Sequence, residues 1–289
     1  IPELKRLVTT IRAHWDGIVA YFQTRITNAT AETLNGIFQT INYIMIGLGM
    51  ITAGLLLTAD INFHQIFTLI GISLLIMAIL AQFTLPANER NEIALKDYKN
   101  DLKNRRVFTL IAIFFLFSLH FGAEVTSYGL FLEQNLQLTK QQIGLYMGLA
   151  VITMGFTSIF IAKNLKKWRA ESVLLFGLFL SGSGHILMTL PTNPIASFFL
   201  RVYHETGDAA FFFFLYFGIA KLFKNERIGG NSSVLTLTAM IGTAIGAQIY
   251  GPLGSTFGYE WPLICSGIIT LIAFALTIFN LKQFRHQEG

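Results

Sequence analysis

Four ionisable residues, Arg201, His204, Glu205 and Asp208, fall at i, i+3, i+4 and i+7 inside the apolar run from Pro194 to Ala220. On a helix that spacing confines them to one arc of about 100°. An ionisable group in a bilayer-spanning helix costs several kcal/mol unless it faces protein, water or a partner, so the four are expected to point inward. Arg201 suits an anionic group, and Glu205 and Asp208 are candidates for proton uptake. The bland reading is a self-satisfied network, with Arg201 pairing to Glu205 at i+4. A second polar face, His120, Glu124, Ser127 and Tyr128, occupies offsets 0, 4, 7 and 8 in the run Phe108–Leu130, again within about 100°. It either shares a substrate pathway with the first face or supplies Glu124 as a direct partner for Arg201; the two readings are compatible.

Such faces need long apolar helices to carry them, and the composition provides them. The chain of 289 residues is 53% hydrophobic and 13% charged, with a mean hydropathy of +0.56. An average soluble domain is roughly one-quarter charged, so the fold class is all-α, a polytopic membrane helix bundle. Eight stretches are long enough to cross about 30 Å of hydrocarbon. They lie near Ile37–Leu57, Phe63–Leu85, Phe108–Leu130, Ile143–Ala162, Ser172–Leu190, Pro194–Ala220, Val234–Leu253 and Trp261–Asn280.

The net charge of +5 reflects topology more than nucleic-acid binding. Alternate connections carry Arg90, Lys96, Lys99, Lys103, Arg105 and Arg106; Lys163, Lys166, Lys167 and Arg169; Lys221, Lys224 and Arg227; and Lys282 and Arg285. The intervening connections hold only Lys140. This asymmetry places both termini and the long basic loop in the cytoplasm, in a plasma (inner) membrane protein, with no nucleic-acid partner expected for the membrane part. The single cysteine, Cys265, excludes an intrachain disulfide and a Cys-based zinc site. No metal-ligand spacing, phosphate-binding glycine motif or nucleophilic triad is visible, so neither a cofactor nor an enzyme activity is expected. His64 and His185 sit near outer span ends and read as interfacial residues; Phe211–Phe214 reads as lipid-facing or packing. Small residues recur at Gly47, Gly49 and Gly54, at Gly144, Gly148 and Gly155, and at Gly242 and Gly246, where they permit close helix approach.

Two spans, a long basic loop and six further spans resemble the major facilitator superfamily from its fifth helix to its twelfth, over about Ile41 to Phe284. LTKQQIGLYMGLAV at Leu138–Val151 resembles the family's entry to helix eight, FIAKNLKKWRAESVLLFG at Phe160–Gly177 its second basic loop, and GAQIYGPLGSTFGYEWPLI at Gly246–Ile264 its passage from helix eleven to twelve. IGLGMITAGLL at Ile46–Leu56 lacks the proline of the antiporter glycine motif, so antiport is not indicated. The resemblance implies a secondary transporter for a small molecule, with protons as candidate coupling ion, and places both polar faces on cavity-lining helices. It also implies that the N-terminal bundle is missing but for two helices, a truncated product inactive alone.

Residues 1–40 resemble something else. IPELKRLVTTIRAHWDGIVAYF, followed by TNATAETLNGIFQ with Asn28, Ala29, Glu32 and Asn35, is similar to the C-terminal end of ISL3-family transposases. There the glutamate is the third acid of a metal-binding set; here no matching first or second acid precedes Glu32. From composition alone the segment reads as an amphipathic lead-in helix. The expected organisation is thus a transposase-like remnant or lead-in over 1–40, two spans of an incomplete bundle over 41–86, a basic linker over 87–107 and a six-helix transporter bundle over 108–289, with a seam near Thr40. The alternative is a fusion remnant or a non-transporting membrane scaffold.

Overall fold

A computed structural model describes residues 29–59, 61–84, 103–164, 167–222 and 228–280, with side chains described throughout except over 29–36, 215–222 and 228–232. The transposase-like stretch before Ala29, most of the basic linker, Lys166, Lys224, Arg227, Lys282 and Arg285 lie outside the described residues. Among the described residues eight helices follow in order: α1 (Ala29–Thr58), α2 (Phe63–Thr84), α3 (Arg105–Gln134), α4 (Lys140–Asn164), α5 (Ala170–Leu187), α6 (Pro194–Leu222), α7 (Ile228–Phe257) and α8 (Glu260–Phe279). Seven are long and apolar enough to cross a membrane. The eighth, α6, has comparable length but carries Arg201, Glu205 and Asp208, so the expectation of eight spans holds approximately.

Local chemistry sets the starts of these helices. Asn62 and Gln65 exchange backbone N–H to side-chain bonds of 3.0 Å ahead of α2, and Thr139 and Gln142 do the same ahead of α4, the reciprocal capping arrangement. Asn104 accepts from the Arg106 N–H at 2.9 Å. Asn193 accepts from Ile195 while Pro194 takes the first helical position of α6, where no N–H is needed. Gly258, with φ of 114°, makes the turn between α7 and α8.

Lipid offers no hydrophobic drive between apolar helices, so close packing falls to small residues. α1 lies along α4 with Thr40 donating to the Gly155 carbonyl at 2.9 Å. A Cβ added to Gly148 would lie 2.5 Å from the Gly47 carbonyl, and one added to Gly54 would lie 3.0 Å from the Gly144 Cα. α3 packs on α7 and α8, α5 on α6 and α8, and α6 also on α4. α2 has Ile66 as its one buried residue and presents Phe67, Leu74, Leu75, Met77 and Phe83 outward, as a lipid-facing helix would. α1 runs unbroken through Thr40, so the expected seam falls inside a helix.

Among the described residues, two large apolar cores form within the bundle beside two smaller clusters. One gathers Leu110, Phe114, Phe117, Leu174, Leu178, Phe211 and Phe214; the other gathers Leu119, Tyr128, Phe131, Leu132, Tyr146, Met188, Tyr250 and Leu263. Phe211 stacks on Phe117 at 3.6 Å between ring centroids, so the Phe211–Phe214 run is partly core, with Phe211, Phe213 and Phe214 buried. Gly148→Leu is expected to separate α1 from α4 and lower stability by about 1–3 kcal/mol, the scale of overpacking. Thermal unfolding in detergent checks this, and an unchanged midpoint would contradict the α1–α4 contact.

A buried charge cluster at mid-bundle

The ionisable residues of the cluster on α3, α5 and α6, and the hydroxyl of Ser266 on α8, sit between the two large apolar cores. On α3, His120 and Glu124 lie between Phe117 and Tyr128; on α5, His185 lies between Leu178 and Met188; on α6, the stripe precedes Phe211; on α8, Ser266 lies between Leu263 and Ala273. A closed layer of charge crosses the apolar bundle. Arg201, His204, Glu205, Asp208, His120 and His185 are all buried, and Glu124 retains 15% side-chain exposure.

Arg201 organises the layer. Its Nη1 pairs with Glu124 Oε1 and its Nη2 with Glu205 Oε1 at 2.6 Å, so one guanidinium bridges α3 and its own helix. Its Cζ also lies 4.4 Å from the centre of the Tyr128 ring, a cation–π contact. Both sequence alternatives, the i+4 pair and the interhelical pair with Glu124, are therefore present together. Glu124 Oε1 also lies 3.2 Å from His204 Nε2 and 3.3 Å from His185 Nε2. Asp208 Oδ2 lies 3.2 Å from His120 Nε2 and 3.4 Å from His204 Nε2. The cluster thus ties α3, α5 and α6 together through two carboxylates.

Glu124 opens a five-residue π-helical turn, Glu124–Tyr128, inside α3. Such a turn adds a residue per helical repeat and re-aims the side chains beyond it, a feature frequent at functional sites. Its effect is visible in the expected face His120, Glu124, Ser127, Tyr128. His120, Glu124 and Tyr128 reach the cluster; Ser127 instead directs its hydroxyl toward the Tyr250 carbonyl of α7 at 3.5 Å.

The expectation that His185 is interfacial is corrected by the structure. The ring is buried, stacks on His204 at 4.3 Å with 14° between planes, and places Nδ1 2.8 Å from Ser266 Oγ. Gly184 makes this approach possible, since an added Cβ would lie 2.7 Å from the Cα and Cβ of His204. A histidine in an apolar span is itself the signal that was available, because such residues rarely face lipid. His64 is exposed at the start of α2, away from the cluster. Tyr146 on α4 meets Ser197 on α6 at 3.0 Å, a further polar contact with no sequence forecast.

Comparison with known proteins agrees with the two-part reading. The family model described as Major Facilitator Superfamily matches residues 125–288, beginning within the π turn and covering every later described helix. A model described as Transposase, of the ISL3 group, matches residues 1–52 and so runs past Thr40 into α1. The curated protein "MFS-type transporter SLC18B1" of Mus musculus is 26% identical over 157 residues, covering 52% of this chain and 34% of that protein. Its Rattus norvegicus counterpart is 27% identical over 154 residues, with 51% and 34% covered. The matched stretch spans about a third of the length of these relatives.

Removing one partner of a buried ion pair leaves an uncompensated charge and costs about 3–5 kcal/mol. Glu124→Ala and Arg201→Ala are each expected to destabilise on that scale, and the double variant by much less than their sum, with a coupling of about 1 kcal/mol or more. Denaturant unfolding in micelles measures the cycle; additive effects would mean that the pair does not form.

Proposed function

Because the chain belongs to the Major Facilitator Superfamily, we propose that it forms part of a secondary transporter that moves a small polar molecule by alternating access, with the buried cluster as its polar centre. The observation that carries this reading is the convergence of α3, α5 and α6 on one carboxylate, Glu124, at the middle of the bundle. Ionisable residues at that depth mark substrate and ion pathways, and carrier sites lie near the midplane where a helix departs from regular geometry. The π turn in α3 is such a departure, and Glu124, the one partly exposed member, is the group through which the layer meets whatever lies outside the bundle.

Alternating access rocks one bundle against another. In this reading α3 to α8 form one bundle and transport needs a second bundle facing it. Both termini and the basic connections lie on the cytoplasmic side of an inner membrane, following the charge asymmetry. The transposase-like residues are a fused segment whose end has become the start of α1. Membership of a transporter family supports reading the protein as a carrier and not as an enzyme. Substrates compatible with a mixed guanidinium, imidazole and carboxylate lining are organic ions, zwitterions and sugars. A second reading, a scaffold that does not transport, is favoured by the mutual pairing of Arg201, Glu124 and Glu205 inside the bundle.

Uptake separates the two. Proteoliposomes holding this chain with its facing bundle are expected to accumulate members of a labelled panel of organic cations, anions, zwitterions and sugars, and Glu205→Gln with Asp208→Asn to return uptake to that of empty liposomes. No uptake above that of empty liposomes by the unsubstituted protein would favour the scaffold, and unchanged uptake in the double variant would take Glu205 and Asp208 out of the transport path. Liposomes holding this chain alone are expected to be silent, and uptake by them would remove the need for a second bundle. Proton coupling is the finer part: an imposed pH gradient is expected to speed uptake, and an identical rate without it would discard protons as the driving ion.

A further inference from the structure

We propose that His120, Glu124, His204 and Asp208 form a binding site for one divalent first-row transition-metal ion, with Zn2+ the best fit. The proposal shares the cluster with the transport reading but does not depend on it, since it concerns equilibrium binding alone.

Three observations carry it. First, one potential donor atom from each of the four residues lies within 4.8 Å of the other three. Tetrahedral Zn2+ with nitrogen and oxygen ligands at about 2.0–2.1 Å requires donor–donor edges near 3.3 Å. The contacts His120 Nε2 to Asp208 Oδ2, His204 Nε2 to Asp208 Oδ2 and His204 Nε2 to Glu124 Oε1 are 3.2, 3.4 and 3.2 Å. The remaining edges are no longer than 4.8 Å.

Second, the far side of each ligand histidine is fixed. His120 donates its Nδ1–H to the Phe117 carbonyl, and His204 donates its Nδ1–H to the Ser181 carbonyl at 2.8 Å. A carbonyl only accepts, so both rings carry the proton on Nδ1 and turn Nε2 inward. This is the usual outer arrangement of metal-bound histidine, which sets the tautomer and holds the ring plane. In a neutral ring it leaves an Nε2 lone pair facing a carboxylate oxygen, two acceptors with no proton between them. A cation between them resolves the conflict; the alternative is a second proton on each ring.

Third, the charge does not balance. One guanidinium, Arg201, stands against the carboxylates of Glu124, Glu205 and Asp208, a formal excess of two negative charges with neutral histidines. A single divalent ion cancels that excess in a place where uncompensated charge is most costly. Asp208 Oδ1 is buried and has no hydrogen-bond partner, so the carboxylate that turns Oδ2 to both imidazoles carries unmet negative charge that a cation would answer. Two imidazoles with two carboxylates suit Zn2+, Co2+ or Mn2+, whereas Mg2+ and Ca2+ prefer all-oxygen sites. His185 remains outside, oriented by Ser266 and touching Glu124, where it braces that ligand.

The test uses the purified full chain in lipid nanodiscs after dialysis against a chelator. Titration with Co2+ is expected to saturate at one ion per chain with the intense visible bands of tetrahedral coordination, and Zn2+ to abolish them by displacement. X-ray absorption of the Zn2+ form is expected to show two imidazoles and two oxygens at about 2.0 Å. His204→Gln and Asp208→Asn are each expected to weaken Zn2+ binding at least about tenfold, while His64→Ala leaves it unchanged; circular dichroism confirms that helix content is retained. No saturable binding, octahedral Co2+ spectra, or affinity unmoved by both ligand variants would overturn the proposal and leave doubly protonated histidines as the resolution. Should either variant fail to fold, the absorption spectra of the unsubstituted chain decide alone. A negative result leaves the uptake experiment standing, because transport of an organic substrate needs no metal.

Discussion

A guanidinium in the middle of an apolar bundle must be paired, and the surrounding structure is arranged around that requirement. Arg201 cannot reach water from its position, and an unpaired buried charge would cost several kcal/mol. Glu205 on the same helix answers part of the demand, and Glu124 on α3 answers the rest. Each carboxylate brought in to satisfy Arg201 adds charge of its own, so the layer grows outward: His185 and His204 meet Glu124, and His120 and His204 meet Asp208. The polar layer is therefore one connected unit, in which every member but Glu205 has a partner on another helix.

That unit depends in turn on how closely the helices approach. Gly184 opposite His204 lets α5 come near enough for two imidazoles to stack, and α5 meets α8 in the same way through Gly182 and Gly267. In lipid such approach supplies dispersion and polar contacts where the hydrophobic effect supplies little. The apolar cores above and below, built on Phe117 with Phe211 and on Tyr128 with Tyr146, hold the layer at a fixed depth. Function, on this account, is a property of the layer, and the helices are its frame.

Much of this was legible in the sequence, and the rest failed for identifiable reasons. Helical period alone placed Arg201, His204, Glu205 and Asp208 on one face, because α6 is regular there. The same reasoning failed at Ser127, where a π turn that leaves no clear mark in residue type broke the period. His185 was misjudged because its position near a span end was weighed above its chemistry. The close grouping of His120, Glu124, His204 and Asp208 was invisible because they come from two helices about eighty residues apart, and spacing rules see only neighbours in sequence. Near Thr40, where the composition changes, α1 runs on as one helix and the transposase match extends to residue 52.

The central claim is that Arg201 and Glu124 join α6 to α3 directly, at the heart of a closed charged layer. Solid-state NMR measures this in a bilayer through dipolar coupling between the guanidinium nitrogens of Arg201 and the carboxyl carbon of Glu124. The account predicts a strong coupling, corresponding to direct contact in a single population. A coupling too weak for contact, with Arg201 paired to Glu205 alone, would contradict it.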